Sequence, residues 1–451
     1  MIPEHIFREY DIRGLADTEL SDEVAYGIGR SFGTVLTGEK KNKVSIGRDL
    51  RTSSPRIQKA VIKGLLEAGM QVTDLGLVPT PLLYFSVSHL KLDAGISITG
   101  SHNPPEFNGF KLHLADRPFY GEEIQGLKKI IREKKYVSGQ GKLETQDIIQ
   151  PYKKYVKTIF KFKKKLKVVI DCGHAMACVV APDLVRELGH EVTGLYTNLD
   201  STFPDHHPDP SEPHNLVDLQ KEVLKSKAHL GIAFDGDADR IGVIDEKGSV
   251  IPGDKILLLY ARAILKKKPG ATIIGDVKCS QVVYDDIAKR GGKPIMWKTG
   301  HSLIKAKMKE TKAELAGEMS GHMFFVDRWF GFDDAIYAAC RMLEIVDESD
   351  RPLSSMLDDL PKLYSTPELR VDCPDDLKFK LVSKAVEEFK KSHKVIDTDG
   401  ARVIFDDGWG LVRASNTQPV LVMRFEAQSD KRLAEIRHYV EDKIQNIRKS
   451  L

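Results

Sequence analysis

Residues 230–240 read LGIAFDGDADR, a short apolar run followed at once by aspartates at alternate positions. The run Leu230–Phe234 has the length and composition of a strand buried on both faces. In α/β proteins, ligands bind at the carboxyl ends of parallel strands. A strand that ends in three carboxylates therefore predicts an α/β domain with a polar site at the edge of its sheet.

The same alternation of strand-like and helix-like segments extends in both directions from this stretch. Further buried strands are predicted at Val44–Gly47, Ala94–Ile98, Val168–Ile170 and Thr272–Ile274. Apolar residues spaced by three and four predict helices at Pro55–Ala68, Ala181–Leu188 and Ile256–Lys266. Alternating strands and helices are typical of α/β domains with mixed, largely parallel sheets.

The C-terminal segment has a different pattern, typical of a smaller α+β domain. Two strand-like runs, Arg402–Phe405 and Gly410–Ala414, flank the sequence DDG at residues 406–408, which predicts a hairpin turn. Helices are predicted at Leu377–Lys391 and Lys431–Arg448. A chain of 451 residues is also too long for one core. We expect four domains, at residues 1–147, 148–249, 250–365 and 366–451.

The bulk composition excludes several classes of protein. The formal net charge is only +3, so no bulk attraction to nucleic acid is expected. The five cysteines are scattered without CxxC spacing, which argues against a disulfide framework or a zinc site. No apolar run is long enough to span a membrane, and the first residues lack the pattern of a signal peptide. A cytoplasmic protein that binds neither nucleic acid nor membranes is expected.

The aspartates of the opening stretch predict a metal site. Asp235, Asp237 and Asp239 can converge on one hard cation, because each offers a carboxylate oxygen. Together with Glu246 they also match four ligand positions of an EF-hand loop. Arg240 stands where that loop needs glycine, and the flanking segments predict strands instead of helices, so a divalent-metal loop is favoured over an EF-hand. An acidic turn without metal is the remaining alternative.

A second polar loop, Thr99–Pro104, follows the predicted strand Ala94–Ile98. It presents Ser101 behind Gly100, on a turn where the serine hydroxyl can attack or carry a phosphoryl group. A plain polar turn closed by Asn-Pro is the alternative, and it is favoured when this loop is taken alone. A serine hydrolase is less well supported, because the pattern GxSxG is absent here.

Two more loops contain the donors and acceptors that sugars and phosphates require. In the first, Glu318, Ser320 and His322 have a spacing suited to vicinal sugar hydroxyls, which is a weak signal by itself. The second is either a phosphate cradle or a hydrophilic hairpin loop, and it offers Arg413, Ser415, Asn416 and Thr417. Together the four loops provide a nucleophile, metal ligands, a hydroxyl-binding group and a phosphate clamp, the set needed to handle a phosphorylated sugar.

These motifs, in this order, resemble those of the α-D-phosphohexomutase superfamily, and specifically its bacterial phosphomannomutase/phosphoglucomutase branch. The resemblance covers essentially the whole chain, including FREYDIRG at residues 7–14. It implies three related α/β domains around a central cleft and a C-terminal α+β domain that closes over the substrate. The implied reaction interconverts hexose 1-phosphate and hexose 6-phosphate, of mannose or glucose, through a phosphoserine and a hexose 1,6-bisphosphate intermediate.

The resemblance also implies roles for the motif residues. Ser101 is similar to the phosphoserine, whose phosphate would complete a site for one Mg²⁺ ion on Asp235, Asp237 and Asp239, and Arg240 would neutralise the transferring group. The sugar O3 and O4 hydroxyls would bind Glu318 and Ser320. The phosphate that is not reacting would bind Arg413, Ser415, Asn416 and Thr417. Further active-site positions are matched by Tyr10, Arg13, Lys111, Lys278, His301 and His322.

Other activities on the same scaffold stay open. Phosphoglucosamine mutases resemble this chain, but that branch typically has glutamine at the position of Met319. A non-catalytic protein that binds a sugar phosphate or a metal is less well supported, because binding alone needs no phosphoryl-accepting serine. The expected partner is a small phosphosugar, and the expected state is a monomer or a weak homo-oligomer.

Two stretches of the second domain are unusual. The family that this chain resembles has a run richer in glycine at the position of Asp171–Cys178. We expect this difference to alter a turn of the second domain and to leave the chemistry unchanged. The histidine-rich stretch Phe203–Pro210 could suggest a metal site, but it is similar to a structural loop of the family.

Overall fold

The structure, a computed structural model, describes residues 2–416 and 418–451. Its first sheet mixes parallel strands with one antiparallel strand, in the order β1-β5-β4-β2-β3-β6. These strands are β1 (Ile12–Leu15), β2 (Lys43–Arg48), β3 (Gln71–Leu77), β4 (Ala94–Ile98), β5 (Phe107–Leu114) and β6 (Lys142–Thr145). The helices of this part are α1 (Asp22–Gly38), α2 (Ser54–Glu67), α3 (Thr80–His89) and α4 (Glu122–Glu133), and the next helix, α5 (Ile149–Ile159), begins the second part.

The second and third sheets are smaller and also mixed. The second consists of β7 (Lys167–Asp171), β8 (Glu191–Leu195), β9 (Leu230–Phe234), β10 (Ile241–Asp245) and β11 (Val250–Ile251), with α6 (Ala181–Glu187) and α7 (Val217–Ser226). The third consists of β12 (Thr272–Asp276), β13 (Lys293–Trp297), β14 (Leu315–Gly317) and β15 (Met323–Phe325). Its helices are α8 (Gly253–Lys267), α9 (Gln281–Lys289), α10 (His301–Thr311) and α11 (Ala335–Glu348).

The fourth sheet is antiparallel, and both of its first two strands pair with its last strand. Its strands are β16 (Tyr364–Ser365), β17 (Leu369–Asp372), β18 (Lys394–Ile396), β19 (Ala401–Phe405), β20 (Gly408–Ala414) and β21 (Val420–Ala427). Two helices, α12 (Asp375–Lys390) and α13 (Asp430–Lys449), complete this part. The predicted fold class, three α/β domains and a C-terminal α+β domain, is confirmed.

The predicted elements are present, with ends shifted by a few residues. The predicted hairpin forms between β19 and β20, where Phe405 pairs with Gly408 across a two-residue turn. Two predicted domain boundaries, after residues 249 and 365, lie beside two-residue strands that pair across them. β11 pairs with β10, so the second sheet continues past residue 249, and β16 pairs with β21, so the fourth sheet begins before residue 366. In both cases backbone pairing extends beyond the change in composition on which the boundary was based.

The hydrophobic cores show how the four parts are joined. One large core includes side chains from the first three parts, such as Phe85 of α3, Tyr152 of α5 and Tyr337 of α11. The fourth part has its own core between its sheet and α12 and α13. A small cluster of Val277, Trp409 and Leu411 connects it to the third part. Within the described ranges, no helix is long and apolar enough to cross a membrane.

Candidate active site

Three buried aspartates lie in the tight loop between β9 and β10. Asp235, Asp237 and Asp239 can bring one carboxylate oxygen each to within 4.8 Å of one another. The loop is closed by Asp235 itself, whose Oδ1 accepts hydrogen bonds from the backbone N–H groups of Asp239 and Arg240. Both neighbours of the loop are strands, and Glu246 bonds instead to Ser354, so the EF-hand alternative is wrong.

The charges around this loop fit a divalent cation. Lys111 Nζ lies 2.7 Å from Asp237 Oδ2 and 2.5 Å from Asp239 Oδ2, so one ammonium is shared by two of the three carboxylates. Asp237 Oδ1 is buried and has no hydrogen-bond partner. Burial and the two neighbouring aspartates raise the pKa of Asp235 well above its usual range. A hard cation would satisfy the free oxygen and the excess negative charge, so these residues fit such an ion.

Three different parts of the chain hold the backbone of this loop. The carbonyl of Gly236 accepts a hydrogen bond from Met176 N, that of Asp237 from Thr80 N, and that of Ala238 from Ala335 N. Thr80 also donates from its hydroxyl to Asp237 Oδ2 at 2.5 Å. The loop is therefore positioned by the first, second and third domains together.

Ser101 lies opposite the aspartates, in the turn after β4. Its hydroxyl donates a hydrogen bond to Asp235 Oδ2 at 3.0 Å, and the side chain is buried. Its φ of 48° lies in the left-handed region, which is uncommon for a residue with a β-carbon. The approach of the two loops requires glycine at Gly236, because a β-carbon there would lie 2.2 Å from the Ser101 carbonyl oxygen.

A histidine connects the aspartate loop to the predicted hydroxyl-binding loop. His322 Nε2 lies 3.2 Å from Asp239 Oδ1, and its Nδ1 lies 2.8 Å from Glu318 Oε2 and 3.0 Å from Ser320 Oγ. Although burial opposes protonation, the Asp239 carboxylate raises the pKa of His322 to about 9. The neighbouring His301 differs, because burial and the Lys305 ammonium hold its pKa well below the usual range.

The loop of the fourth domain reaches the same cleft. Arg413 Nε donates to Asp399 Oδ2 at 2.9 Å, and the same carboxylate oxygen accepts the backbone N–H of Thr299. Asn416 donates to the Tyr10 hydroxyl, which donates in turn to the Thr299 carbonyl at 2.8 Å. Ser415 is buried beside them, and Thr417 lies outside the described residues. One phenol thus joins the first, third and fourth domains.

The remaining predicted residues lie around this constellation. Arg13 bonds to Asp11 and Asn103, beside the Ser101 turn. Arg240 Nε lies 3.4 Å from His322 Nε2. Lys278 Nζ lies 2.9 Å from Glu368 Oε2, at the junction of the third and fourth domains. The structure therefore brings the candidate residues of the four loops, as far as it describes them, into one connected group of side chains.

Several residues of the site were missed by the sequence reasoning. Thr80 begins a helix, where a threonine is an ordinary residue, so nothing marked it as a partner of Asp237. Asp49 and Arg51 surround the Ser101 turn but follow a different strand, β2. Polar residues directly after a predicted strand were the available signal for that pair.

The two unusual stretches pack against each other and against the Ser101 turn. His174 bonds to Asp205 at 2.6 Å, and His206 bonds to Asp171 at 3.0 Å. His207 bonds to the carbonyl of His102, next to Ser101. The histidines of these stretches are thus engaged by carboxylates and a carbonyl.

Comparison with known proteins identifies the family of the chain. Four models of the phosphoglucomutase/phosphomannomutase family match in chain order: alpha/beta/alpha domain I at residues 4–138, domain II at 150–248, domain III at 252–364 and the C-terminal domain at 368–443. The chain belongs to this family.

Individual family members resemble the chain over its whole length. A phosphomannomutase/phosphoglucomutase of Pseudomonas aeruginosa is 46% identical, over 100% of this chain and 97% of that protein. A phosphoglucomutase of Neisseria meningitidis is 43% identical, over 97% and 96%. A solved structure of a phosphoglucomutase/phosphomannomutase family protein from Burkholderia thailandensis has a TM-score of 0.94 and 43% identity, covering 99% of this chain and 98% of that one.

Proposed function

We propose that this member of the family is a phosphohexomutase that interconverts the 1- and 6-phosphates of mannose, glucose or both. The observation that carries the proposal is the contact between Ser101 and the aspartate loop. A buried hydroxyl 3.0 Å from Asp235 is placed to carry a phosphoryl group beside a cation. Relatives at 43–46% identity that are named for these activities support it.

In the proposed mechanism, Ser101 holds the phosphoryl group between turnovers. Asp235, Asp237 and Asp239 would hold Mg²⁺, which would supply stabilisation of negative charge on the transferring group. Lys111 and Arg240 add positive charge on the protein side, and phosphoryl transfer depends mainly on such neutralisation and on in-line positioning. The buried and clustered charges make this a water-poor site, where they are most effective.

The substrate is held at both ends. Glu318 and Ser320 bind sugar hydroxyls, with His322 orienting both, and the non-reacting phosphate binds the loop of Arg413, Ser415, Asn416 and Thr417. Because this clamp recognises phosphate and hydroxyls, the hexose 1,6-bisphosphate intermediate can bind in either orientation. Each orientation presents a different phosphate to Ser101, and this completes the interconversion.

Burial and the Lys305 ammonium lower the pKa of His301 and keep it neutral near pH 7, so its imidazole can hydrogen-bond a sugar hydroxyl in the site but is only a weak base there. Arg13, Lys278 and Tyr10 line the same cleft and contact the intermediate as it turns. We expect the enzyme to act in the cytoplasm, as a monomer or weak homo-oligomer, without nucleic-acid or membrane partners.

The proposal is tested by assaying glucose 1-phosphate and mannose 1-phosphate with Mg²⁺ and a trace of glucose 1,6-bisphosphate. Ser101→Ala should lower kcat by at least about a thousandfold, roughly 4 kcal/mol of barrier. Intact mass should show one phosphoryl group on the wild-type protein and none on the variant. Ser138→Ala, at an exposed position outside the helices and strands, is the control and should behave as wild type. Near-normal turnover of Ser101→Ala would rule out the phosphoserine.

A further inference from the structure

Arg51 is a fully buried arginine in the turn after β2, with 1% of its surface exposed. A guanidinium has five N–H donors, and here each of the five has a partner. Nε donates to Asp49 Oδ2 at 3.1 Å. The other four donate to backbone carbonyls of one short segment, those of Ser101, Asn103, Pro104 and Phe107.

This arrangement fixes the turn that carries the proposed phosphoserine. The bonds from Nη2 reach the carbonyl of Ser101 at 3.0 Å and that of Asn103 at 2.6 Å, so they act on the backbone on both sides of His102. Ser101 has a φ of 48°, a conformation that costs free energy for a residue with a β-carbon and persists only where the surroundings impose it. The guanidinium contributes to imposing it, because it donates hydrogen bonds to four carbonyls of this segment.

Two neighbours of Arg51 complete the support. Asp49 Oδ2 accepts the backbone N–H of Gly100 at 3.0 Å as well as the N–H of Arg51 Nε. Gly100 must lack a side chain, because a β-carbon there would lie 2.3 Å from Arg51 Cζ. The residue directly before Ser101 is therefore packed against the guanidinium and bonded to the carboxylate that orients it.

With all five donors used, Arg51 has none left for a substrate phosphate. We propose that Arg51 is a positioning residue for phosphoryl transfer, which directs the Ser101 hydroxyl toward Asp235 without touching the substrate. This inference rests on the proposed function, in which Ser101 carries the phosphoryl group. It assigns the in-line geometry at Ser101 to a residue outside the four loops.

The test replaces Arg51 with lysine, which keeps the positive charge but offers three donors instead of five. Displacement of a reacting group by about 1 Å costs about a hundredfold in rate, so Arg51→Lys should lower kcat about a hundredfold. KM should stay within about twofold of wild type, because the residues that bind the sugar and the second phosphate are unchanged. Mg²⁺ affinity of the protein without its phosphoryl group, measured by calorimetry, should also be unchanged, because the three aspartates lie on another loop.

Arg341→Lys is the matched control. Arg341 is 3% exposed and bonds to the carbonyl of Asp327, the Tyr337 hydroxyl and the Asp327 carboxylate, in the third domain. It should lower the melting temperature as Arg51→Lys does but keep the wild-type kcat. In ³¹P NMR, the phosphoserine resonance should shift or broaden in Arg51→Lys and match wild type in Arg341→Lys.

The proposed function and the role of Arg51 are contradicted by different outcomes. If the wild-type protein shows neither mutase activity nor a phosphoserine, the proposed function is wrong. If the wild-type protein is active and Arg51→Lys loses no more kcat than Arg341→Lys, only the role of Arg51 is wrong.

A second variant covers the case in which Arg51→Lys does not fold. In Gly100→Ala the added β-carbon displaces the Arg51 guanidinium. This variant should have the same kinetic effect as Arg51→Lys, a much lower kcat with a nearly unchanged KM. A folded Gly100→Ala protein with the wild-type kcat would overturn the inference.

Discussion

At the scale of single residues, the two carboxylate oxygens of Asp237 differ in their hydrogen bonding. One of its oxygens bonds to Lys111 and Thr80, and the other is buried without a partner. We expect Asp237→Asn to weaken Mg²⁺ binding by more than about tenfold, since the amide removes one of three charges. Calorimetric titration with Mg²⁺ measures this, with Asp17→Asn, 94% exposed at its side chain, as control. Unchanged affinity in Asp237→Asn would contradict the metal assignment.

The surroundings of Glu318 lead to a second prediction, which concerns the choice of sugar. Its carboxylate is buried, accepts the backbone N–H of Gly300, and lies 2.8 Å from His322. A site that bonds a particular hydroxyl rejects a sugar that misplaces it, because the buried partners are then left unpaired. Glucose and mannose 1-phosphates should therefore react within about tenfold of each other, and galactose 1-phosphate about a hundredfold more slowly.

Measurement of kcat/KM for the three sugar phosphates is the check. Comparable values for galactose 1-phosphate would show that Glu318 and Ser320 do not bind the O4 hydroxyl.

Full activity in excess chelator would show in the same assay that no metal is required.

At the scale of elements, the contact between the aspartate loop and the Ser101 turn depends on Gly236. A β-carbon there would lie 2.2 Å from a backbone oxygen, so the two loops must separate in Gly236→Ala. We expect kcat to fall at least about tenfold, since small displacements of reacting groups are costly. Gly126→Ala is the control, because its β-carbon meets nothing within 4 Å and alanine favours the helix α4. Wild-type kcat in Gly236→Ala would contradict the close approach.

Elements with a strong local pattern were predictable, and those that depend on distant partners were not. The run Leu230–Phe234 is found as β9 with the same ends, because five buried residues in a row are recognisable without their neighbours. β11 and β16 have two residues each, and only pairing with β10 and β21 defines them. The residues of the site divide in the same way. Ser101 and the aspartates were predictable because they lie in local motifs, whereas Thr80 and Arg51 were not, because they act through contacts with residues distant in sequence.

At the scale of the whole molecule, an ion pair links the third and fourth domains. The Lys278 ammonium, 2.9 Å from Glu368, lowers the pKa of that carboxyl to about 2. A carboxyl with a depressed pKa stabilises the folded state at pH values above its ordinary pKa of 4.5. This stabilisation is lost as the pH falls toward 2. The pair should contribute about 2 kcal/mol or less at pH 7, allowing for partial solvent exposure.

Thermal unfolding of Glu368→Gln should therefore differ from wild type at pH 7, and the difference should shrink between pH 4.5 and 2. Glu435→Gln, which breaks an exposed pair with Arg432, is the control and should have little effect at any pH. A difference that is constant from pH 7 to pH 2 would exclude this linkage.

The fourth domain should also move as a unit. It has its own core and meets the other domains through a small apolar cluster and through polar contacts such as that between Asn416 and Tyr10. Small and partly polar interfaces permit hinge motion, so substrate should shift the population toward a closed cleft. Small-angle scattering with and without glucose 1,6-bisphosphate is the measurement. Identical profiles would count against closure.

The backbone of the aspartate loop receives hydrogen bonds from Thr80, Met176 and Ala335, one in each of three domains. The order of synthesis then matters, because the last of these donors leaves the ribosome well after the aspartates themselves. A nascent chain that ends at the second domain contains every predicted metal ligand but lacks one of the supports that hold them. Formation of the complete cation site therefore requires synthesis of the third domain. A truncated chain that lacks this domain would have the ligands but an incompletely supported site.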